Sequence, residues 1–230
     1  MHEPTDPMSD TENPRPECAS PEAVVMQFAK WPVPGRVKTR LSPLLGDEGA
    51  MNAHVRLSRR VLANLAEAGL PLQFWWDRAL VKPPVAAGPI LADLETLGVS
   101  QCIQQGNDLG QRMHGALELA LQRHDKAVIV GSDCPSVEAR YVQAALALLD
   151  RHDVVMGPSD DGGYVLLAAK RTVPAMLDDI EWGSGRVLVQ TRDRLDRLGL
   201  SHACLEPRWD VDEPEDWQRF LRELVEAPEG

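Results

Sequence analysis

The chain has 230 residues, of which 43% are hydrophobic and 26% are charged, and its formal net charge at pH 7 is −11. This length fits one large domain with a sizeable core. No apolar run approaches the roughly 18 residues that are needed to cross a bilayer. An acidic chain also has no electrostatic reason to bind nucleic acid or an anionic membrane. The sequence therefore predicts a cytoplasmic protein that binds neither.

The N-terminal residues 1–22 differ in composition from the rest of the chain. They hold six acidic residues, one arginine and five prolines, with almost no large apolar residue. Such a segment lacks the apolar surface that a core requires. It also lacks the basic start and apolar stretch of a secretory signal. We predict a disordered tail over 1–22 and a single domain over 23–230.

Predicted strands and helices alternate along that domain. Short apolar runs predict strands, and apolar residues repeated every three to four positions predict helices. In chain order the elements are strand 23–29, helix 47–68, strand 72–76, helix 91–97, strand 99–104, helix 109–123, strand 127–130, helix 136–149, strands 153–156 and 164–168, helix 186–198, strand 201–205 and helix 215–225. Ser136 is a plausible N-cap for the fourth helix. The alternation predicts a three-layer α/β fold with mainly parallel strands.

A basic loop follows the first predicted strand. Ligands of α/β sheets bind at the carboxyl ends of the strands. Guanidinium and ammonium groups suit phosphate oxygens, and glycine permits close backbone approach. The loop could also be a solvated basic segment. We predict that it binds a polyphosphate through Phe28, Ala29, Lys30, Gly35, Arg36, Lys38 and Arg40.

Two aspartates are candidates to hold a metal ion that would also bind the polyphosphate at the basic loop. Asp133 directly follows the apolar strand 127–130, and Asp212 lies in the acidic run before the last helix. Either could instead be a helix cap or part of a solvated surface. Mg²⁺ is usually held by one or two carboxylates together with substrate oxygens. We therefore expect Asp133 and Asp212 to bind Mg²⁺ or Mn²⁺ against nucleotide phosphates.

Other loops add candidate contacts. The loop after strand 99–104 opens a helix that Asp108 could cap, and the glycine-rich turn 157–164 is either a simple hairpin or the approach for a second substrate. Trp182 is either a substrate wall or a core anchor. The nucleotide candidates added here are Gln105, Gly106, Arg112 and Ser132, and the acceptor candidates are Asp161, Gly162, Gly163, Tyr164 and Trp182.

Several motifs occur in a recognisable order: QFAKWPVPGRVKTRL, GNDLGQRM, VGSDCP, GPSDDGGYVL, EWGSGRV and DVDEPEDW. Over residues 23–220 the chain resembles the DUF2064 family, which is glycosyltransferase-A-like and similar to the 2-phospho-lactate guanylyltransferases of the deazaflavin cofactor pathway. Members are also labelled transferases associated with radical-SAM and selenium-linked gene clusters, or arsenosugar-type glycosyltransferases. The resemblance implies a nucleotide-diphospho-sugar transferase fold with a mixed, mainly parallel sheet. It also implies that Arg36, Lys38 and Arg40 bind a triphosphate and that Asp133 and Asp212 bind the metal.

Three functions are compatible with these sites. The first is a Mg²⁺-dependent nucleotidyltransferase, in which a small phosphorylated or carboxylated acceptor attacks the α-phosphorus of a nucleoside triphosphate, with Lys38, Arg40 and Asp133 as the catalytic groups. The second is a glycosyltransferase that uses a nucleotide sugar, whose diphosphate needs fewer than four cations. The third is a nucleotide-binding module without catalysis, against which the two aspartates argue. We expect the first, in a monomer or homodimer.

Overall fold

The computed structural model describes residues 22–226, and each predicted strand and helix is present there; strands 23–29 and 72–76 have the predicted bounds, and the ends of the other elements are shifted. The strands are β1 Ala23–Ala29, β2 Leu72–Trp76, β3 Ser100–Ile103, β4 Lys126–Gly131, β5 Val154–Pro158, β6 Tyr164–Ala169 and β7 His202–Cys204. The helices are α1 Ser42–Ala66, α2 Gly88–Thr96, α3 Leu109–Leu121, α4 Ala139–Leu149, α5 Val187–Arg197 and α6 Pro214–Glu226.

The seven strands form one sheet in the order β3-β2-β1-β4-β6-β5-β7. β1 pairs in parallel with both β2 and β4, whereas β6 runs antiparallel to its neighbours β4 and β5. The predicted mixed, mainly parallel sheet is confirmed. In register, Phe28 lies beside Gly131 and Ala29 beside Trp76. The carboxyl ends of β1, β2 and β4 therefore meet at one edge of the sheet.

Helices cover both faces of the sheet because its central strands are apolar on both sides. Along β1, Val24 and Met26 pack in the core with α3, and Val25 packs on the other face with α1 and α4. All seven residues of β1 are buried. A strand that is apolar on both faces requires a helical layer on each side. The predicted three layers are thus present.

Three helix starts differ from the predicted ones by more than one residue, and the first of these is α2, which begins at Gly88 rather than residue 91. α1 begins at Ser42 rather than residue 47, and Gly46 interrupts it with a φ of 68°. α4 begins at Ala139, so Ser136 is not its N-cap; the Ser136 hydroxyl instead donates a hydrogen bond to the carbonyl oxygen of Trp209. The predicted Asp108 cap is confirmed, because its carboxylate accepts a hydrogen bond from the Gln111 N–H at 2.8 Å.

The predicted tail lies outside the described residues except for Glu22. The Glu22 carbonyl oxygen accepts hydrogen bonds from the N–H groups of Asp125 and Lys126, each at 3.0 Å, which ties the start of β1 to the start of β4. Within residues 22–226 no helix is long and apolar enough to cross a membrane.

Candidate active site

The loop after β1 is anchored to the end of β2. Trp31 stacks on Trp76 with ring centroids 3.7 Å apart and nearly parallel planes. The Trp31 backbone N–H donates to the Asp77 carboxylate at 2.9 Å, and its indole N–H donates to the Arg78 carbonyl oxygen at 2.8 Å. This anchoring fixes where the basic segment begins. Gly35 then turns the loop at a φ of 69°, a conformation that glycine adopts without strain.

Lys38 occupies the centre of the site. It has a left-handed backbone conformation (φ 48°), and its side chain is only 6% exposed. Its Nζ lies 2.8 Å from Asp133 Oδ2 and 3.5 Å from Asp212 Oδ1. Left-handed conformations are costly for residues other than glycine and persist where the surrounding structure holds them. The ion pairs with the two aspartates are the contacts that hold Lys38 in place.

Arg40 extends this network of ion pairs at the same edge. Its Nη1 lies 2.6 Å from Asp212 Oδ2 and 3.2 Å from Glu213 Oε1. The Arg40 side chain is 60% exposed, so this pair is far more hydrated than the one that Lys38 makes. The predicted grouping of Lys38, Arg40, Asp133 and Asp212 is therefore observed.

Lys38 and Asp133 stabilise each other's charged forms. Burial lowers the pKa of Lys38, but the attraction of Asp133 outweighs it and the net shift is upward. Burial raises the pKa of Asp133, but Lys38 outweighs that effect and lowers it to about 2. Both groups are thus charged at neutral pH.

Asp212 reaches the site through a segment that is hydrogen-bonded to Asp133. The Val211 N–H donates to the Asp133 carbonyl oxygen at 2.9 Å. Asp212 is not the cap of α6. The Asp216 carboxylate accepts hydrogen bonds from the N–H groups of Asp212 and Glu213 at 3.2 and 2.9 Å. Asp216 is the third residue of α6, the position from which an acidic side chain accepts the N-cap N–H in a capping box. The Asp212 carboxylate is consequently available to Lys38 and Arg40.

A cavity of about 520 Å³, here called the phosphate pocket, opens at this edge of the sheet. Of the predicted residues, its lining includes Phe28, Ala29, Lys30, Arg36, Lys38, Arg40, Arg112, Ser132, Asp133 and Asp212. Gly35, Gln105 and Gly106 are not part of the lining. Gly106 instead packs so closely on Gln111 that an added Cβ would lie 2.7 Å from the Gln111 side chain.

Sequence reasoning missed several residues of the phosphate pocket, notably His54, Asp77 and Gln104. Asp77 directly follows β2, so the rule that ligands bind at strand ends could have found it. Gln104 follows β3, and its amide donates to the Trp75 carbonyl oxygen at 2.8 Å. His54 lies within α1 and its Nε2 donates to the Lys30 carbonyl oxygen at 2.9 Å, a contact for which the sequence has no local signal.

A second cavity of about 250 Å³, here called the acceptor cavity, lies on the other side of Asp133. Four predicted acceptor residues line it: Asp161, Gly163, Tyr164 and Trp182. Gly162 instead packs against Gly185, where an added Cβ would lie 2.3 Å from a carbonyl oxygen. Phe28, Leu109, Gly131 and Asp133 line both cavities, so the two open onto each other at the end of β4.

Asp210 is an unpredicted member of the acceptor cavity. Its carboxylate has no hydrogen-bond or ion-pair partner in residues 22–226. Burial is the main cause that raises its pKa to about 7, and the neighbouring carboxylates of Asp133 and Asp161 add to the shift. Asp210 and Asp212 are two residues apart, yet only Asp212 lines the phosphate pocket.

The carboxylates of Asp133 and Asp212 are the groups that could hold a metal, because both face the Lys38 ammonium, which lies 2.8 Å from an oxygen of Asp133 and 3.5 Å from an oxygen of Asp212. Within the described part of the chain, no group of three or more His, Cys, Asp and Glu side chains is arranged to hold a metal. The pair therefore fits a cation that takes its other ligands from phosphate and water, as Mg²⁺ commonly does.

Known structures and sequences resemble this chain over different lengths. A crystal structure from Desulfovibrio desulfuricans G20, described as a nucleotide-diphospho-sugar transferase, is 30% identical, with a TM-score of 0.79 and coverage of 90% of both chains. A nucleotidyl transferase from Methanothermobacter is 15% identical, with a TM-score of 0.60 and coverage of 90% of this chain and 99% of that chain. These matches confirm the predicted nucleotide-diphospho-sugar transferase fold.

A curated relative matches a shorter region. The 3-phospho-D-glycerate guanylyltransferase of Phenylobacterium zucineum (strain HLK1) is 39% identical over 93 residues, which are 39% of this chain and 41% of that protein. The chain thus matches less than half of that relative's length. The sequence profile of DUF2064, described as an uncharacterized protein conserved in bacteria, matches residues 67–184. The family that the motifs predicted is confirmed, and the chain belongs to DUF2064.

Proposed function

We propose that the protein is a Mg²⁺-dependent nucleotidyltransferase that transfers a nucleoside monophosphate from a nucleoside triphosphate to a small acceptor. The named relatives are transferases, and two of them transfer nucleotidyl or guanylyl groups by name. The guanylyltransferase relative makes GTP the first nucleotide to test.

The observation that carries this proposal is the charge of the phosphate pocket. Five cationic side chains line it: Lys30, Arg36, Lys38, Arg40 and Arg112. Lys38 and Arg40 are paired with carboxylates, but Lys30 and Arg36 form no ion pair with any residue in the range 22–226. Unpaired cations beside a sheet edge suit the oxygens of a triphosphate.

In the proposed reaction, an oxygen of the acceptor attacks the α-phosphorus. The new oxygen–phosphorus bond forms as the bond from the α-phosphorus to the bridging oxygen of the β-phosphate breaks, and pyrophosphate leaves with that bond's electrons. The proton of an attacking hydroxyl passes to water. Lys38 and Arg40 would neutralise the charge that develops on the phosphate oxygens, and Lys30 and Arg36 would position the triphosphate.

Asp133 and Asp212 would hold the divalent cation in this scheme. When bound, Mg²⁺ neutralises phosphate charge and stabilises the leaving pyrophosphate. Asp133 also orients Lys38 through the 2.8 Å ion pair. Its neighbour Ser132 is fixed from the core side, because the buried Gln27 amide donates to the Ser132 hydroxyl at 3.0 Å.

Glycosyl transfer from a nucleotide sugar is the second candidate. It is favoured by the acceptor cavity, in which Trp182 and Tyr164 lie near the carboxylates of Asp161 and Asp210, a set of groups that suits a sugar. In that reaction the donor's sugar would occupy the acceptor cavity and its diphosphate the phosphate pocket.

One assay separates these candidates. The full chain is incubated with each nucleoside triphosphate and with common nucleotide sugars, with Mg²⁺ or with EDTA, over a panel of small acceptors. Release of pyrophosphate supports nucleotidyl transfer, and release of nucleoside diphosphate from a sugar donor supports glycosyl transfer. Nucleotide binding without turnover across the panel would contradict both and indicate a binding module.

A further inference from the structure

The acceptor cavity is acidic and has no cation in its lining. The carboxylates of Asp133, Asp161 and Asp210 line it, whereas no lysine, arginine or histidine of the described residues does. Five cationic side chains line the neighbouring phosphate pocket instead. Asp133 is neutralised by Lys38, but Asp161 and Asp210 form no ion pair within residues 22–226.

The carboxylates of the acceptor cavity retain the capacity to accept hydrogen bonds from a ligand. One oxygen of Asp161, Oδ1, accepts from the Gly163 N–H at 2.9 Å and from the Ser159 hydroxyl. No described group donates to its other oxygen or to either oxygen of Asp210. Ionised carboxylates accept hydrogen bonds and cannot donate them. A ligand that supplies hydrogen-bond donors therefore suits the carboxylate oxygens of this cavity.

An aromatic wall faces these acids. The Trp182 indole meets the Tyr164 ring edge-to-face, with centroids 6.3 Å apart and an interplanar angle of 88°. The indole also packs closely on Gly110, where an added Cβ would lie 3.0 Å from Trp182 Cζ2. Phe28 and Met113 extend the apolar lining. A rigid aromatic surface of this kind suits the C–H face of a ligand.

We propose that the acceptor cavity binds a hydroxylated, non-anionic molecule with the chemistry of a sugar or amino sugar. Its hydroxyl or ammonium groups would donate to Asp161 and Asp210, and its C–H face would lie on Trp182. A phosphate or carboxylate in this position would face the carboxylates of Asp161 and Asp210 with no cationic side chain in the described lining, which is unfavourable in a partly buried site. This inference rests on the proposed function and departs from the phosphorylated or carboxylated acceptor that the sequence predicted.

The test compares four probes that share one ring and differ in charge: glucose, glucosamine, glucose 6-phosphate and glucuronate. Each is titrated against the full chain with GTP and Mg²⁺ present, and binding is followed by saturation-transfer NMR. We expect glucose and glucosamine to bind at least tenfold more tightly than the two anionic probes. Equal or tighter binding of the anions, or no binding of any probe, would overturn the proposal.

A second titration distinguishes a free sugar acceptor from the sugar group of a nucleotide-sugar donor. The glucose titration is repeated with UDP-glucose in place of GTP. Retention of the glucose signal supports a free acceptor in the cavity, whereas its loss only with UDP-glucose assigns the cavity to the donor's sugar and overturns the acceptor assignment.

Variants of one lining residue test whether the probes bind in the acceptor cavity. Asp161→Lys, at an exposed position, should raise affinity for glucose 6-phosphate at least tenfold and lower affinity for glucosamine, and Asp161→Asn gives a milder version of the same change. Glu181→Gln is the matched control, because Glu181 is exposed beside Trp182 and does not line the cavity. Unchanged probe selectivity in Asp161→Lys would contradict the proposal.

A separate titration of GTP keeps the two proposals distinguishable. This titration reports on the phosphate pocket alone. Asp161→Lys should leave the affinity for GTP unchanged, because Asp161 does not line that pocket. Failure of GTP and the other triphosphates to bind would contradict the proposed function, while the selectivity among the four probes would still decide the chemistry of the acceptor cavity.

Discussion

The backbone N–H of Val211 donates a hydrogen bond to the carbonyl oxygen of Asp133 at 2.9 Å. This contact, together with the hydrogen bond from the Ser136 hydroxyl to the Trp209 carbonyl oxygen, joins the segment before α6 to the residues that follow β4. As a result Asp212 meets Lys38 in the phosphate pocket, whereas Asp210 lines the acceptor cavity. Asp133 lines both cavities. The place where a nucleotide and an acceptor would meet is therefore built from two segments that are distant in sequence.

Arg36→Ala should weaken the binding of GTP without changing stability. Arg36 is exposed and forms no ion pair with a described residue, so its guanidinium is available to phosphate. Loss of a charge-assisted hydrogen bond should cost about 1.5–3 kcal/mol, roughly a 10- to 150-fold rise in Kd by calorimetry. Arg59→Ala is the control, since Arg59 pairs with Asp93 away from the pocket. Equal Kd values in the two variants would place the triphosphate elsewhere.

Asp212→Asn should reduce the Mg²⁺-dependent part of GTP binding. Asp212 and Glu213 both pair with Arg40, but only Asp212 approaches Lys38 and lines the phosphate pocket. Removal of one of two candidate metal carboxylates should lower the gain in affinity from Mg²⁺ over EDTA at least tenfold. Glu213→Gln should leave that gain intact. A full Mg²⁺ effect in Asp212→Asn would contradict the metal assignment.

The buried His54 should make the protein less stable as the pH falls below about 6.5. Burial lowers the pKa of His54 in the folded chain, so the unfolded chain binds a proton more readily. Stability is therefore lost as the pH drops from the unfolded pKa towards the folded one. His54→Gln keeps a side-chain donor for the Lys30 carbonyl oxygen and removes the titration. Urea unfolding between pH 7.5 and 5 should show a flatter profile in this variant, and an unchanged profile would contradict the assignment.

Gly162→Ala should destabilise the fold more than Gly183→Ala does. Both glycines have positive φ, 87° and 82°, so alanine is strained by about 1–2 kcal/mol at either position. At Gly162 the new Cβ would also lie 2.3 Å from the Gly185 carbonyl oxygen, whereas at Gly183 no atom lies within 4 Å. The difference between the two unfolding free energies measures the steric clash alone. Equal values would show that the turn moves away from Gly185 without cost.

The architecture and the general location of the site could be predicted from the order of the amino acids. Its apolar runs and helical periodicities identify each strand and helix, because these patterns depend on which neighbouring side chains share a face. Parallel strands bring their carboxyl ends to one edge, and for that reason the basic loop and Asp133 could be assigned to the same site. The motifs also identified the family.

The pairing of side chains within the site depends on contacts between segments that are distant in sequence. Lys38 and Asp212 are 174 positions apart, and no local pattern predicts their 3.5 Å approach. The Ser136 hydroxyl could have capped a helix, but the passing segment at Trp209 provides a nearby carbonyl oxygen that it binds instead. Asp210 and Asp212 look alike in sequence, yet they line different cavities because the Val211 hydrogen bond fixes the segment between them. Such pairings depend on how separate segments of the chain pack against each other, and the residues next to each side chain in the sequence do not reveal that packing.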